Sequence, residues 1–264
     1  MVVTANGFHG TIGGGTLEWK ALAEAQRLLA KPRAVKMLTQ SLGPDLGQCC
    51  GGRVSLAIES FDAADLAAVQ AFAAREEQGP FTLTGRLPAI TERFGEARRS
   101  VLLFGAGHVG RAVMLALAPR PYDVTWADPR PEAVPSATPQ NVTAFAGDPL
   151  EVARSAPQGS LAFIMSHSHP LDLAIAEAAL RNGAIAQVGV IGSSTKRARI
   201  ERRLREAGVA EARVQSMICP IGVGGIRSKL PAAIAVSVVA QVITLDEALS
   251  AGATQGKLAA RNAG

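Results

Sequence analysis

"RSVLLFGAGHVG", residues 99 to 110, decides the fold. Val101 to Phe104 form an unbroken apolar run, the pattern of a strand buried on both faces. The run leads straight into Gly105-x-Gly107-x-x-Gly110, and apolar residues at helical spacing follow. In that context Gly105 permits a tight turn, Gly107 lets backbone approach a phosphate, and Gly110 lets helix pack on strand. Asp128, eighteen residues beyond Gly110, ends the next strand, where a carboxylate can accept a ribose hydroxyl. The spacing predicts a Rossmann-like unit.

Downstream the same grammar repeats. Strands are predicted at 100–104, 123–127, 142–145, 160–165 and 186–191 with amphipathic helices between them, as in a parallel sheet covered on both faces. A final helix is expected from Pro231 to about Leu249, with proline in its first turn. Upstream the pattern differs. "VVTANGFHGTI" reads as two short strands around Asn6-Gly7, and Thr16, after three glycines, is expected to cap a helix that Pro32 stops. Residues 34–40 and 53–61 read as strands, with Val54, Leu56 and Ile58 on one face, and 62–78 as a second helix ended by Gly79-Pro80. The stretch from there to about residue 97 reads as a linker. The fold class is α/β: a smaller N-terminal α+β domain over 1–97 and a C-terminal Rossmann-like parallel-sheet domain over 98–264.

Composition removes several function classes. Lys plus Arg exceed Asp plus Glu by 27 to 22, yet the basic residues read as scattered, with no run long enough for a nucleic-acid arm. Aromatics are only 4% of the chain, too few for a base-stacking surface. The modest positive excess suits an anionic small molecule or an acidic partner surface. No stretch approaches eighteen consecutive apolar residues and no secretory pattern opens the chain, so a cytoplasmic protein without a membrane partner is expected. Its three cysteines would then be reduced, and adjacent Cys49 and Cys50 are too close for a relaxed disulfide with each other.

Candidate chemistry gathers at predicted strand ends. "SHSHPLD" supplies His167, His169 and Asp172 at the carboxyl end of the fourth sheet strand, as metal ligands, as polar contacts to a ligand, or as a helix cap. "GVIGSSTKRARI" places Gly192, Ser193, Ser194 and Thr195 at a helix start with Lys196 and Arg197 on its first turn, where free N–H groups, hydroxyls and two cations suit an anion or form only a solvated helix start. Cys49 and Cys50, flanked by glycines, can act as thiolates toward metal or sulfur, whereas Cys219 and either of them can equally be small buried hydrophobes. A hydride-transfer enzyme would need a proton donor near its nicotinamide, and His169 is the only obvious candidate.

Six segments in series, "IGGGTLE", "GQCCGG", "LLFGAGHVGRA", "SHSHPLDLAIAEAAL", "GVIGSSTKRARI" and "CPIGVGGIRSKLPAAIAVSVVAQVI", resemble the xanthine dehydrogenase accessory protein family, XdhC/CoxI. The resemblance implies a non-catalytic chaperone that binds molybdopterin, the molybdenum cofactor, and supports its sulfuration by a cysteine desulfurase. It delivers the cofactor to the large subunit of a xanthine dehydrogenase-type molybdenum hydroxylase. On this reading Gly105, Gly107, Gly110, Asp128, His167, His169, Ser193, Ser194 and Lys196 serve phosphate and pterin. Cys50, beside Cys49, faces molybdenum or receives sulfur from a position toward the Rossmann crevice. The alternative is an NAD(P)-dependent oxidoreductase on the same sheet. Relatives carry a further segment with a Gly-Ser-x-Pro-Arg-type stretch ahead of the position of Met1. Without it a strand edge is left open and a homodimer is expected.

Overall fold

The computed structural model describes residues 1–42, 52–86, 90–95 and 97–262, with side chains described to residue 252. The chain forms two compact units, Met1–Ala97 and Arg98–Gly264.

The first unit is built from small antiparallel pairs. β1 (Val2–Thr4) pairs with β2 (Gly7–His9), with Thr4 opposite Gly7, so the two-residue turn is Ala5-Asn6 and lies one residue earlier than the Asn6-Gly7 signal suggests. Helix α1 (Gly15–Leu28) follows the glycine triplet and buries Leu17, Ala21, Leu22 and Leu28. Thr16 is not its cap. The Glu18 carboxylate folds back instead and accepts from the backbone N–H of Ile12 at 2.9 Å and of Gly14 at 3.2 Å, and from the Thr11 hydroxyl. β3 (Val35–Ser41) pairs with β4 (Arg53–Glu59), and α2 (Leu66–Gln78) follows. The expected linker is another hairpin, β5 (Phe81–Thr84) with β6 (Thr91–Phe94). A stack of Phe72, Phe81 and Phe94, with ring centroids 6.4 and 5.6 Å apart, holds it against α2. Cys49 and Cys50 lie outside the described residues.

The second unit is a five-stranded sheet, all parallel. Its strands are β7 (Arg99–Phe104), β8 (Tyr122–Asp128), β9 (Val142–Ala146), β10 (Ser160–Ile164) and β11 (Ile185–Val190), in the order β11-β10-β7-β8-β9. The intervening helices are α3 (His108–Leu117), α4 (Pro149–Arg154), α5 (His169–Arg181), α6 (Ser194–Glu206) and α7 (Glu211–Ser216), and α8 (Pro231–Asn262) closes the chain well beyond Leu249.

Alternation along the strands divides the core in two. Val101, Leu103, Leu161 and Phe163 pack with α3 and α8, whereas Leu102, Phe104, Ala162 and Ile164 pack with α4 to α7. Among the described residues α8, from Pro231 to Gly252, is the one helix long and apolar enough to cross a membrane. Its Ala235, Val238, Val239 and Val242 are buried in the second cluster and Val236 is exposed, so one face of the helix packs on the sheet.

The direction in which successive strands are added reverses at β7: β8 and β9 lie on one side of it, β10 and β11 on the other. Such a switch point opens a crevice at the carboxyl ends of the strands, where open α/β sheets bind ligands.

Candidate functional site at the carboxyl edge of the sheet

Gly105, Gly107 and Gly110 occupy the turn from β7 into α3, and their demands differ. Gly105 has φ 109°, and a Cβ there would lie 2.3 Å from the Met165 carbonyl oxygen beyond β10. A Cβ on Gly110 would collide with the Gly105 carbonyl oxygen. Packing alone requires both glycines. Gly107 has φ −74°, open to any residue, and nothing lies within 4 Å of a Cβ built on it. Its place as the N-cap of α3 favours glycine, but no contact among the described residues requires one there. It faces open space at the start of α3, where the first N–H groups of a helix lack intrahelical partners.

Asp128 ends β8 fully buried. Its Oδ1 accepts from the Arg130 backbone N–H at 3.0 Å and from Arg130 Nε at 2.9 Å, and its Oδ2 accepts from Ala106 N–H at 2.7 Å and from Arg130 Nη2 at 2.9 Å. Burial alone would raise this carboxyl, but the guanidinium and the two backbone donors outweigh it and hold the pKa at about 2. The four bonds fill a carboxylate's acceptor positions. A ribose hydroxyl would have to displace one of these donors to reach the carboxylate.

Across the switch point a second buried carboxylate does comparable work. Asp172, in the first turn of α5, is 1% exposed. It accepts from the backbone N–H of Ser166 at 2.9 Å, from the Ser166 hydroxyl at 2.6 Å and from Lys196 Nζ at 2.6 Å. The Lys196 ammonium also donates to the Ile191 carbonyl at 2.7 Å. Expected to reach outward for phosphate, Lys196 thus turns inward and ties α6 to α5. Ser193 caps α6, its hydroxyl accepting from Lys196 N–H at 3.3 Å. Ser194, His167 and His169 are exposed at the same edge. The two histidines do not join Asp172 as ligands, and no group of three His, Cys, Asp or Glu suited to a metal occurs among the described residues.

Cys219 is buried beside Gly192 and Lys196, and burial pushes its thiol pKa up, so it behaves as a small core residue. Arg130, two residues past a strand-ending acid, is expected from the sequence either to read a nucleotide tail or only to cap the strand end, and here it clamps Asp128. Ser166, which donates to Asp172, carries no comparable sequence signal.

Comparison with known proteins agrees with this architecture. A model described as the XdhC Rossmann domain matches residues 101–242, which span all the edge groups above, and a model of the XdhC and CoxI family matches residues 1–40. An uncharacterized protein of Escherichia coli strain K12, YqeB, is 28% identical over 92% of this chain. The alignment spans 39% of that relative's length. A crystal structure described as a xanthine dehydrogenase from Bacillus halodurans superposes with a TM-score of 0.74 at 18% identity, covering 92% of this chain and 84% of that one. That likeness is one of fold. The Rossmann-domain match takes in more than half of the chain, and the chain belongs to the XdhC family.

Proposed function

We propose that this protein is a non-catalytic carrier that holds molybdopterin at the carboxyl edge of the sheet during maturation of a xanthine dehydrogenase-type molybdenum hydroxylase, and then hands it on. Membership of the XdhC family carries the reading, because the matched segment spans the whole edge. The donor set fits a phosphorylated pterin. Gly107 and the start of α3 offer an open cradle for phosphate, and Ser194, His167 and His169 are exposed to meet the polar pterin edge. Asp128 and Lys196 support this site from behind, holding the turns in place rather than touching the ligand.

When bound, molybdopterin would bring the metal-dithiolene centre on which the hydroxylase's redox chemistry depends. The carrier itself needs to bind, orient and shield. Cys50, with Cys49 beside it, is assigned the contact to molybdenum or to incoming sulfur, with a cysteine desulfurase as the sulfur source. Soft thiolate suits both roles. The NAD(P)-oxidoreductase alternative would require a ribose hydroxyl to displace one of the donors now on Asp128.

Fluorescence titration separates the two. Saturable binding of molybdopterin with no saturable binding of NADH is expected of the purified protein. NADH binding without pterin binding would defeat the carrier reading.

A further inference from the structure

The chain as a whole has a surplus of five positive charges. Helix α6 alone carries one lysine and five arginines against two glutamates, a surplus of four. Lys196 is turned inward to Asp172, so the outward-facing part of that surplus is carried by the five arginines. Ile200 and Leu204 point inward, at 4% and 0% exposure. Arg199, Arg202 and Arg203, spaced i, i+3 and i+4, share the opposite face and are exposed.

Pairing within the helix does not neutralise that face. Glu201 is shared between Arg197 and Arg205, and Glu206 between Arg202 and Arg203. Arg205 additionally meets Glu211 of α7. Arg199 has no ion-pair partner among the described residues. Crowded like charges on an exposed helix face carry a self-repulsion cost, which an acidic partner would relieve.

We propose that the outer face of α6 is the docking surface for an acidic patch on the client hydroxylase. The inference rests on the carrier reading above, for which it supplies the contact that guides transfer. Arginine outnumbers lysine five to one on α6, and a guanidinium fork matches a carboxylate in two parallel hydrogen bonds. A single-stranded nucleic acid is disfavoured because the helix has no aromatic residue on which bases could stack. A membrane surface is disfavoured because the apolar residues Ile200 and Leu204 face the core and leave nothing to insert. The helix begins at Ser194, on the sheet edge, and runs about 20 Å from it, so a client lying along α6 reaches the ligand crevice without a separate approach.

The test compares wild type with an R199E/R202E/R203E variant and an R199K/R202K/R203K variant. All three positions are exposed, so thermal stability is expected to change little. Each is titrated against the purified, cofactor-free large subunit of the hydroxylase, against a single-stranded DNA oligonucleotide and against phosphatidylserine vesicles. Pterin retained by each protein is measured on the same samples. Charge reversal is expected to weaken hydroxylase binding about thirtyfold or more, the lysine variant by less, and rising salt to weaken wild type about tenfold. Pterin retention is expected to stay unchanged in both variants. Hydroxylase binding by the reversal variant within about twofold of wild type overturns the docking proposal and leaves the carrier reading standing. Tighter binding of DNA or vesicles than of hydroxylase, lost on charge reversal, also overturns it. Wild type that neither retains pterin nor binds hydroxylase sinks both.

Discussion

Two buried carboxylates stand on either side of the switch point and are neutralised in different ways. Asp128 is held by Arg130, two residues along the same loop, and by a backbone N–H of the glycine turn. Asp172 is held by Lys196, which comes from another helix, and by Ser166 at the end of β10. The first clamp is local and sets the shape of one turn. The second is long-range and fastens the α5 and α6 starts to each other. Breaking the second should therefore disturb more of the edge.

The largest effect is expected at Lys196. Its side chain is only 14% exposed and its partner is buried, so Lys196→Met strands a carboxylate and should cost about 3–5 kcal/mol in a denaturant titration. Replacing both partners, in Lys196→Met with Asp172→Leu, should recover part of that loss. A double variant no better than the single one would show that the pair does not fasten the edge.

Arg130→Met should cost less, about 1–2 kcal/mol, because its side chain is 37% exposed and water can take over some of its role. The same clamp predicts a response to acid. Asp128 has a folded pKa of about 2, below its ordinary 3.8, so its contribution is present above about pH 4 and is lost as pH falls toward 2. That loss amounts to about 2 kcal/mol. Stability measured across this window should fall less steeply in Arg130→Met than in wild type. Equal slopes would contradict the clamp.

Gly107→Val should cost least, about 1 kcal/mol for the loss of a glycine N-cap, since its backbone angles are otherwise ordinary and the space around it is open. Gly105 and Gly110 offer the contrast, being constrained by backbone on every approach. Gly107 is the point at which supporting structure gives way to proposed ligand contact.

How much of this was visible in the sequence follows from the range of each interaction. The sheet was legible because each strand is a concentrated apolar run that hydrophobic patterning detects. The hairpin of Phe81–Thr84 and Thr91–Phe94 was not, because its strands are four residues long and alternate with polar groups. Its stability comes from Phe72 on a preceding helix. Residue types at the candidate edge could be picked out, but their assignments could not. Lys196 finds its partner 24 residues away, and only the packed fold shows that its charge is already used. The glycine triplet before α1 suggested a hydroxyl cap, while the carboxylate of Glu18 takes that place by reaching back from inside the helix. The basic face of α6 was present in the composition, but glutamates interrupt its run and only helical phase gathers the arginines.

The central claim is that the open cradle at Gly107 takes the phosphate of molybdopterin. It is tested most directly by isolating wild type and Gly107→Val from a host that makes the cofactor and measuring molybdopterin per chain. Wild type carrying pterin, and a fully folded Gly107→Val carrying several-fold less, is the predicted result; equal pterin content in the two proteins would contradict it.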